Sequence, residues 1–120
     1  MNKNLVYFVV DFAINQGKLI HFESLAQTMI TGTLKEAGAL AYEWHLSADR
    51  KRCRLLETYA DAKAALAHCT RPVVQQLVPK ILETATISGF EVYGDPGPEA
   101  AKILTGVGAE IFPLWHGLGR

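Results

Sequence analysis

The sequence has no surplus of either charge, only a pair of cysteines and no long apolar run, and each shortage removes a class of function. Twelve Lys and Arg balance twelve Asp and Glu. Such a balance lacks the basic footprint of a nucleic-acid binder and the polybasic segment that holds a protein on an anionic membrane. The longest apolar run, Leu5–Val10, falls far short of the ~20 residues that span a bilayer. That stretch begins at once and carries Asp11 directly behind it, which is not the pattern of a signal peptide. Cys53 and Cys69 fit no C-x-x-C or metal spacing and read as free thiols of a reducing cytoplasm. No His, Cys, Asp or Glu cluster has metal-ligand spacing, no Gly-rich loop has a phosphate-cradling form, and no Ser/His/Asp motif has its context. The expectation is a cytoplasmic single domain with no metal, no nucleic acid and no membrane as partner. Its 49% hydrophobic content is ordinary for a soluble globular fold.

What is present is a regular order of elements. Leu5–Phe12 is rich in β-branched and aromatic residues and apolar at both parities, so it reads as a central strand. Asn15-Gln16-Gly17 breaks it. From Lys18 to Glu36 the residues Leu19, Phe22, Leu25, Ala26, Met29, Ile30 and Leu34 form one helical stripe, which Gly38 stops. Ala39–Ser47 and Arg52–Tyr59 read as a hairpin across Ala48-Asp49-Arg50-Lys51. Asp61 is placed to cap a helix over Ala62–Cys69. Pro72 restarts a helical segment that runs to about Glu83, with Pro79 expected to kink or end it. Thr86–Tyr93 is a fourth strand. A Gly/Pro loop, a short helix over Glu99–Thr105 and a short strand around Ala109–Phe112 follow.

This βαββαβ order predicts an α+β fold, a ferredoxin-like split sandwich with both helices on one face of the sheet. Residues 1–95 make that domain. Residues 96–120 form a C-terminal extension packed on the same domain or on a partner subunit. The other face has no helix to cover it, although the first strand is apolar on both sides and the fourth carries Ile87, Phe90 and Val92. An uncovered apolar sheet predicts a homodimer through that face.

Strand alternation sorts the hairpin. With Ser47 opposite Arg52, Trp44 falls opposite Leu55, Tyr42 opposite Glu57 and Leu40 opposite Tyr59. One face then carries Tyr42, Trp44, Leu46, Cys53, Leu55, Glu57 and Tyr59; the other carries Glu43, His45, Arg52, Arg54 and Leu56. His68 lies near the end of the following helix among the small residues Ala64, Ala65 and Ala67. It reads either as a general acid or base tuned near neutral pH or as a cap on the last carbonyls of its helix. Glu57 either orients His68 or a substrate, or pairs with Arg54 or Lys63. Tyr42, Trp44 and Tyr59 are either core or the walls of a small-molecule pocket on the helix-covered side.

The stretch Ala41–His68, AYEWHLSADRKRCRLLETYADAKAALAH, resembles the antibiotic biosynthesis monooxygenase-like family of dimeric α/β barrels, which includes the quinol monooxygenases. The matching positions are Tyr42 and Glu43, then Glu57, Tyr59, Asp61, Ala65 and His68, with Gly17-Lys18 ahead of the first helix. The resemblance implies two ferredoxin-like sheets forming a dimeric barrel. It also implies oxygenation of a small electron-rich aromatic (a quinol, phenol or polyketide-like molecule) with no cofactor, neither metal nor flavin. On that reading His68 is the catalytic base, Glu57 its orienter or a second polar contact, and Tyr42, Trp44 and Tyr59 bind the substrate. Haem-degrading relatives place an Asn on the first strand and a Trp on the third. Here those positions fall near Val10 and at Tyr59, which argues against haem. The alternative is a barrel of the same kind that binds or isomerises a small metabolite without oxygen chemistry, since fold alone does not fix function.

Overall fold

The structure, a computed structural model, describes residues 4–119. Among them the chain runs β1 (Val6–Ile14), α1 (Leu19–Thr33), β2 (Ala39–Leu46), β3 (Arg52–Tyr59), α2 (Ala62–Thr70), α3 (Pro72–Ile81), β4 (Ala85–Tyr93), α4 (Gly97–Gly106) and β5 (Glu110–Phe112). The sheet order is β2-β3-β1-β4-β5. The first four strands are antiparallel, as the ferredoxin-like reading requires, and β5 joins β4 in parallel at the far edge.

Alternation along β1 buries Val6, Phe8, Val10 and Phe12 beneath the helices and leaves Tyr7, Val9, Asp11 and Ala13 on the opposite face. Across the ladder Val6 pairs with Tyr59, Phe8 with Glu57, Val10 with Leu55 and Phe12 with Cys53. On the other side Phe8 pairs with Val92, Val10 with Phe90 and Phe12 with Ile87. Ile87, Phe90 and Val92 therefore point at the helices and not at the open sheet face. The apolar part of that open face comes instead from Tyr7, Val9, Leu56, Tyr93 and Phe112, interrupted by an Asp11–Arg54 pair at 2.6 Å.

The helix α1 buries Phe22, Leu25, Ala26, Met29 and Thr33, which recur at the three- and four-residue spacing of one face. Its stripe was expected to continue through Leu34. Ile30 and Leu34, one turn apart on the same outward face, lie exposed instead, and a hydroxyl, Thr33, takes the buried place. Asp61 caps α2 by accepting from Ala64 N–H at 2.8 Å. Arg71 is extended because Pro72 follows it, which separates α2 from α3. Pro79 lies inside α3, and the helix runs on through it to Ile81.

The helix layer covers two apolar clusters. One gathers Val10, Phe12, Phe22, Leu25, Met29, Leu55 and Val74 under α1 and α3. The other gathers Val6, Phe8, Tyr59, Ala65, Val92, Ala100 and Leu104 under α2 and α4. The extension thus packs within the same chain, α4 against α2 and β5 against β4.

Candidate functional site

The hairpin register holds at Trp44–Leu55 and Tyr42–Glu57, and it fails at Leu40. A bulge between Ala39 and Ala41 pairs Ala39 with Tyr59, so Leu40 is the extra residue and is exposed. The strand faces are otherwise as alternation predicts. Tyr42 and Glu57 are cross-strand neighbours under the helices, and Tyr59 lies two residues further along the same face. Arg54 is on the opposite face with Asp11, so it does not meet Glu57.

His68 projects from the buried stripe of α2, one turn beyond Ala65, into the seam between the two apolar clusters. It does not cap its helix. Its Nδ1 lies 3.1 and 3.2 Å from the two carboxylate oxygens of Glu36. Its Nε2 lies 3.5 Å from Glu57 Oε1. Tyr59 donates its hydroxyl to that same Glu57 oxygen at 2.5 Å. The Tyr42 and Tyr59 rings stand 5.5 and 5.1 Å from the imidazole. Arg71 adds a positive charge behind Glu36, its Nε 3.5 Å from Oε2. The side chains of Glu36, Glu57 and His68 are all nearly inaccessible.

Glu36 is the member that spacing and periodicity do not reveal. It sits beyond the end of α1 in a turn closed by Glu36 N–H to the Thr33 carbonyl and Ala39 N–H to the Glu36 carbonyl. The turn is pressed against α2 because Gly38 has no side chain: a Cβ there would stand 2.5 Å from Ala64 Cβ. The small side chain of Ala64 thereby admits the backbone of the turn.

Burial in this seam sets the protonation of Glu57, His68, Tyr42 and Tyr59. Burial pushes the Glu57 carboxyl up to about 8, the neighbouring Glu36 charge adds to the rise, and the Tyr59 hydrogen bond opposes it. Burial also holds His68 below the ordinary imidazole range, against the pull of Glu36. Burial first, and then the Glu57 charge, raise the Tyr42 and Tyr59 hydroxyls, which keeps both as phenols. At neutral pH the seam thus contains a neutral imidazole and a predominantly protonated Glu57. Glu36 and Glu57 address opposite ring nitrogens and do not converge on one point. Among the described residues no three His, Cys, Asp or Glu side chains are set to hold a metal ion.

Trp44 belongs to an aromatic wall next to this seam. It stacks on Phe12 at 5.7 Å and 10°, and it meets Phe22 and Tyr42 edge-on. The structure thus brings His68, Glu57, Tyr42 and Tyr59 together, with Trp44 touching the group through Tyr42. His45 lies apart and exposed near Glu43, and His116 lies against Trp115 in the C-terminal tail.

The sequence profile of the family described as antibiotic biosynthesis monooxygenase matches residues 5–80, well over half of the chain. The protein belongs to this family. Among solved structures, MupZ from Pseudomonas fluorescens is 24% identical, with a TM-score of 0.79 over 98% of this chain and 95% of that one. Rv0793 from Mycobacterium tuberculosis is 23% identical, with a TM-score of 0.69 over 78% of this chain and 97% of that one. SO0527 from Shewanella oneidensis is 25% identical, with a TM-score of 0.65 over 76% and 88%. The MupZ match takes in the extension with α4 and β5, whereas the other two stop at about the length of the βαββαβ unit. A search among curated proteins finds no match. Family membership gives the chain a monooxygenase-like role in general terms. Among the described residues no helix is long and apolar enough to cross a membrane.

Proposed function

We propose that this member of the antibiotic biosynthesis monooxygenase family oxygenates a small electron-rich aromatic, a phenol, quinol or polyketide-like molecule, with His68 as base. The observation that carries this reading is the buried imidazole between the carboxyl groups of Glu36 and Glu57 at the edge of an aromatic wall. Glu36 accepts from Nδ1–H and so leaves Nε2 as the basic nitrogen, the logic of a carboxylate–imidazole pair. His68 takes the phenolic proton, and Glu36 stabilises the imidazolium that results. The substrate anion then reduces dioxygen. One oxygen atom becomes bonded to the ring carbon and ends as a carbonyl, and the other leaves as water with the ring hydrogen and the proton held by His68. The substrate is the reductant and dioxygen the oxidant, so the scheme calls for no flavin or metal. Glu57 is the second polar contact on the Nε2 side, and Tyr42, Trp44 and Tyr59 enclose the ring.

The open sheet face is assigned to a second copy of the chain, and the free thiols Cys53 and Cys69 suit the cytoplasm. The test is oxygen uptake by the purified protein against hydroquinones, naphthols and anthrone-like phenols. The expected result is uptake with at least one of them and a loss of roughly 100-fold or more in His68→Ala. No uptake across the panel, or uptake indifferent to His68→Ala, defeats the reading.

A second reading rests on the pairing of a neutral imidazole with a protonated Glu57 at neutral pH. That pair can remove a proton from one position of a ligand and return one to another, an isomerisation without oxygen. Exchange of ligand hydrogens with deuterated water under anaerobic conditions distinguishes it.

A further inference from the structure

A neutral imidazole has one N–H and one lone pair, on opposite ring nitrogens. His68 lies between two carboxyl groups, Glu36 at Nδ1 and Glu57 at Nε2. Serving both ends of the ring therefore takes one carboxylate to accept and one carboxylic acid to donate. Two arrangements meet that need. In the first, Glu36 is the carboxylate, the ring proton is on Nδ1 and Nε2 is the base. In the second, Glu57 is the carboxylate, the ring proton is on Nε2 and the basic nitrogen faces the turn after α1.

The immediate surroundings of the two glutamates differ. Glu57 accepts the Tyr59 hydroxyl at 2.5 Å, a hydrogen bond that favours its charged form. No Lys or Arg stands within ion-pair distance of Glu57 among the described residues. The polar contacts of the Glu36 side chain are His68 and Arg71, whose Nε lies 3.5 Å from Oε2. A carboxylate this deeply buried takes up a proton unless a cation compensates it. Glu36 has that cation, and Glu57 has only a neutral phenol. Arg71 is fixed close to the ring by the chain itself. It links α2 to α3, is extended because Pro72 follows it, and donates its backbone N–H to the His68 carbonyl at 3.2 Å. Its buried Nε makes no hydrogen bond, so what it offers Glu36 is charge and not a hydrogen-bonded fork. Tyr42 from β2 and Tyr59 from β3, the other polar groups against the ring, carry no charge.

We propose that Arg71 is a positioning residue that decides which of the two glutamates keeps its charge, and so which ring nitrogen of His68 is basic. Without that cation the Tyr59 hydrogen bond tips the charge to Glu57, the ring proton moves to Nε2, and the base is turned away from Glu57. The role in turnover rests on the oxygenase reading above. The tautomer of His68 can be measured without any reaction.

The experiment reads that tautomer from long-range nitrogen–proton correlation spectra of the isotope-labelled full chain at neutral pH. The chain has four histidines, and His68 is the one whose signals vanish in His68→Gln. The expected result is a wild-type ring protonated on Nδ1. Arg71→Met and Arg71→Gln should each move most of the neutral ring to the Nε2–H form. Arg71→Lys should keep it on Nδ1, because a charge without a hydrogen bond does not depend on the guanidinium. Unchanged signals of His21, His45 and His116 show that each variant is folded, and having two charge-removing variants guards against one that is not. A purely structural role for Arg71 would lower the melting temperature and leave the tautomer where it was. A wild-type ring protonated on Nε2, a ring that stays on Nδ1 in the folded charge-removing variants, or an Arg71→Lys ring that behaves as Arg71→Met overturns the assignment. In turnover, oxygen uptake should fall roughly tenfold or more in Arg71→Met and recover in Arg71→Lys. A tautomer that moves as expected in a protein that takes up no oxygen with any phenol overturns the oxygenase reading and leaves the role of Arg71 standing.

Discussion

His68 has a carboxyl group beside each ring nitrogen, and burial shifts His68 and Glu57 in opposite directions. The folded-state pKa of Glu57 is raised from 4.5 to about 8, so the folded protein binds the extra proton between those values. Stability attributable to Glu57 is present at the acid end of that window and is lost as pH rises through about 8. The pKa of His68 is lowered from 6.5, so the unfolded chain binds the extra proton as pH falls below that value, and its contribution is lost on the acid side. The melting temperature should therefore peak in mildly acidic solution. Glu57→Gln should flatten the alkaline limb, and His68→Gln the acid limb, in calorimetry at a series of pH values. Parallel curves for wild type and Glu57→Gln contradict the assignment. Glu36→Gln has a kinetic signature under the proposed function. Without the carboxylate on Nδ1 the imidazole loses the partner that favours its charged form. The acid limb of the pH–rate profile should move to lower pH while the maximal rate falls roughly tenfold or more. An unchanged limb sinks the positioning role of Glu36.

At the scale of elements, the site depends on how closely the turn after α1 approaches α2. Gly38→Ala would set two methyl groups 2.5 Å apart, against the backbone of a packed helix. The expected loss is about 1–3 kcal/mol in denaturant unfolding, together with the same change in the pH–rate profile as Glu36→Gln, because the displaced turn carries Glu36. Asp61→Ala removes the hydrogen bond to Ala64 N–H and should cost about 1 kcal/mol while leaving that profile alone. These two variants separate the approach of the turn from the stability of the helix it meets. They also mark what the sequence could and could not disclose. Local chemistry made the Asp61 cap and the restart at Pro72 readable, and strand alternation counted back from the hairpin turn did the same for the pairing of Tyr42 with Glu57. The bulge at Leu40 was not readable, because an inserted residue keeps the apolar pattern intact on both sides of it. Glu36 was hidden for a similar reason. A glutamate at a helix end is ordinarily solvated, and only the contact of Gly38 with Ala64, residues far apart in the chain, turns it inward. Thr33 did leave a trace. It follows Phe22, Ala26 and Met29 on the helical spacing, and a hydroxyl at the end of an apolar stripe is a signal of a buried polar contact.

At the scale of the whole molecule, the open sheet face decides whether the βαββαβ unit stands alone. Strand order and helix placement were legible from the order of elements, but the composition of this face was not, because the bulge at Ser88 shifts the register of β4 against β1. Ile87, Phe90 and Val92 consequently belong to the core, and the case for a second copy rests on other residues. Val9 and Leu56 lie at the centre of the face, with Tyr7, Tyr93 and Phe112 toward one end, where Phe112 stacks on Tyr93 at 5.4 Å. The tail from Pro113 to Gly119 borders the same end and, with Tyr7 and Tyr93, encloses a groove of about 280 Å³. Trp115 and Leu118 of that tail are 87% and 77% exposed, a large apolar area for one chain to leave uncovered. If the face receives a second copy, Val9→Asp or Leu56→Asp should give a folded monomer in sedimentation equilibrium, with unchanged circular dichroism. Removing residues 113–120 should weaken the dimer roughly tenfold or more. Removing 109–120 is a poorer test, because it also strips β5 from β4 and exposes the backbone of the Val92 strand. A wild-type chain that sediments as a monomer, or a truncation at residue 112 with undiminished association, would show that the tail folds over its own sheet and serves no partner.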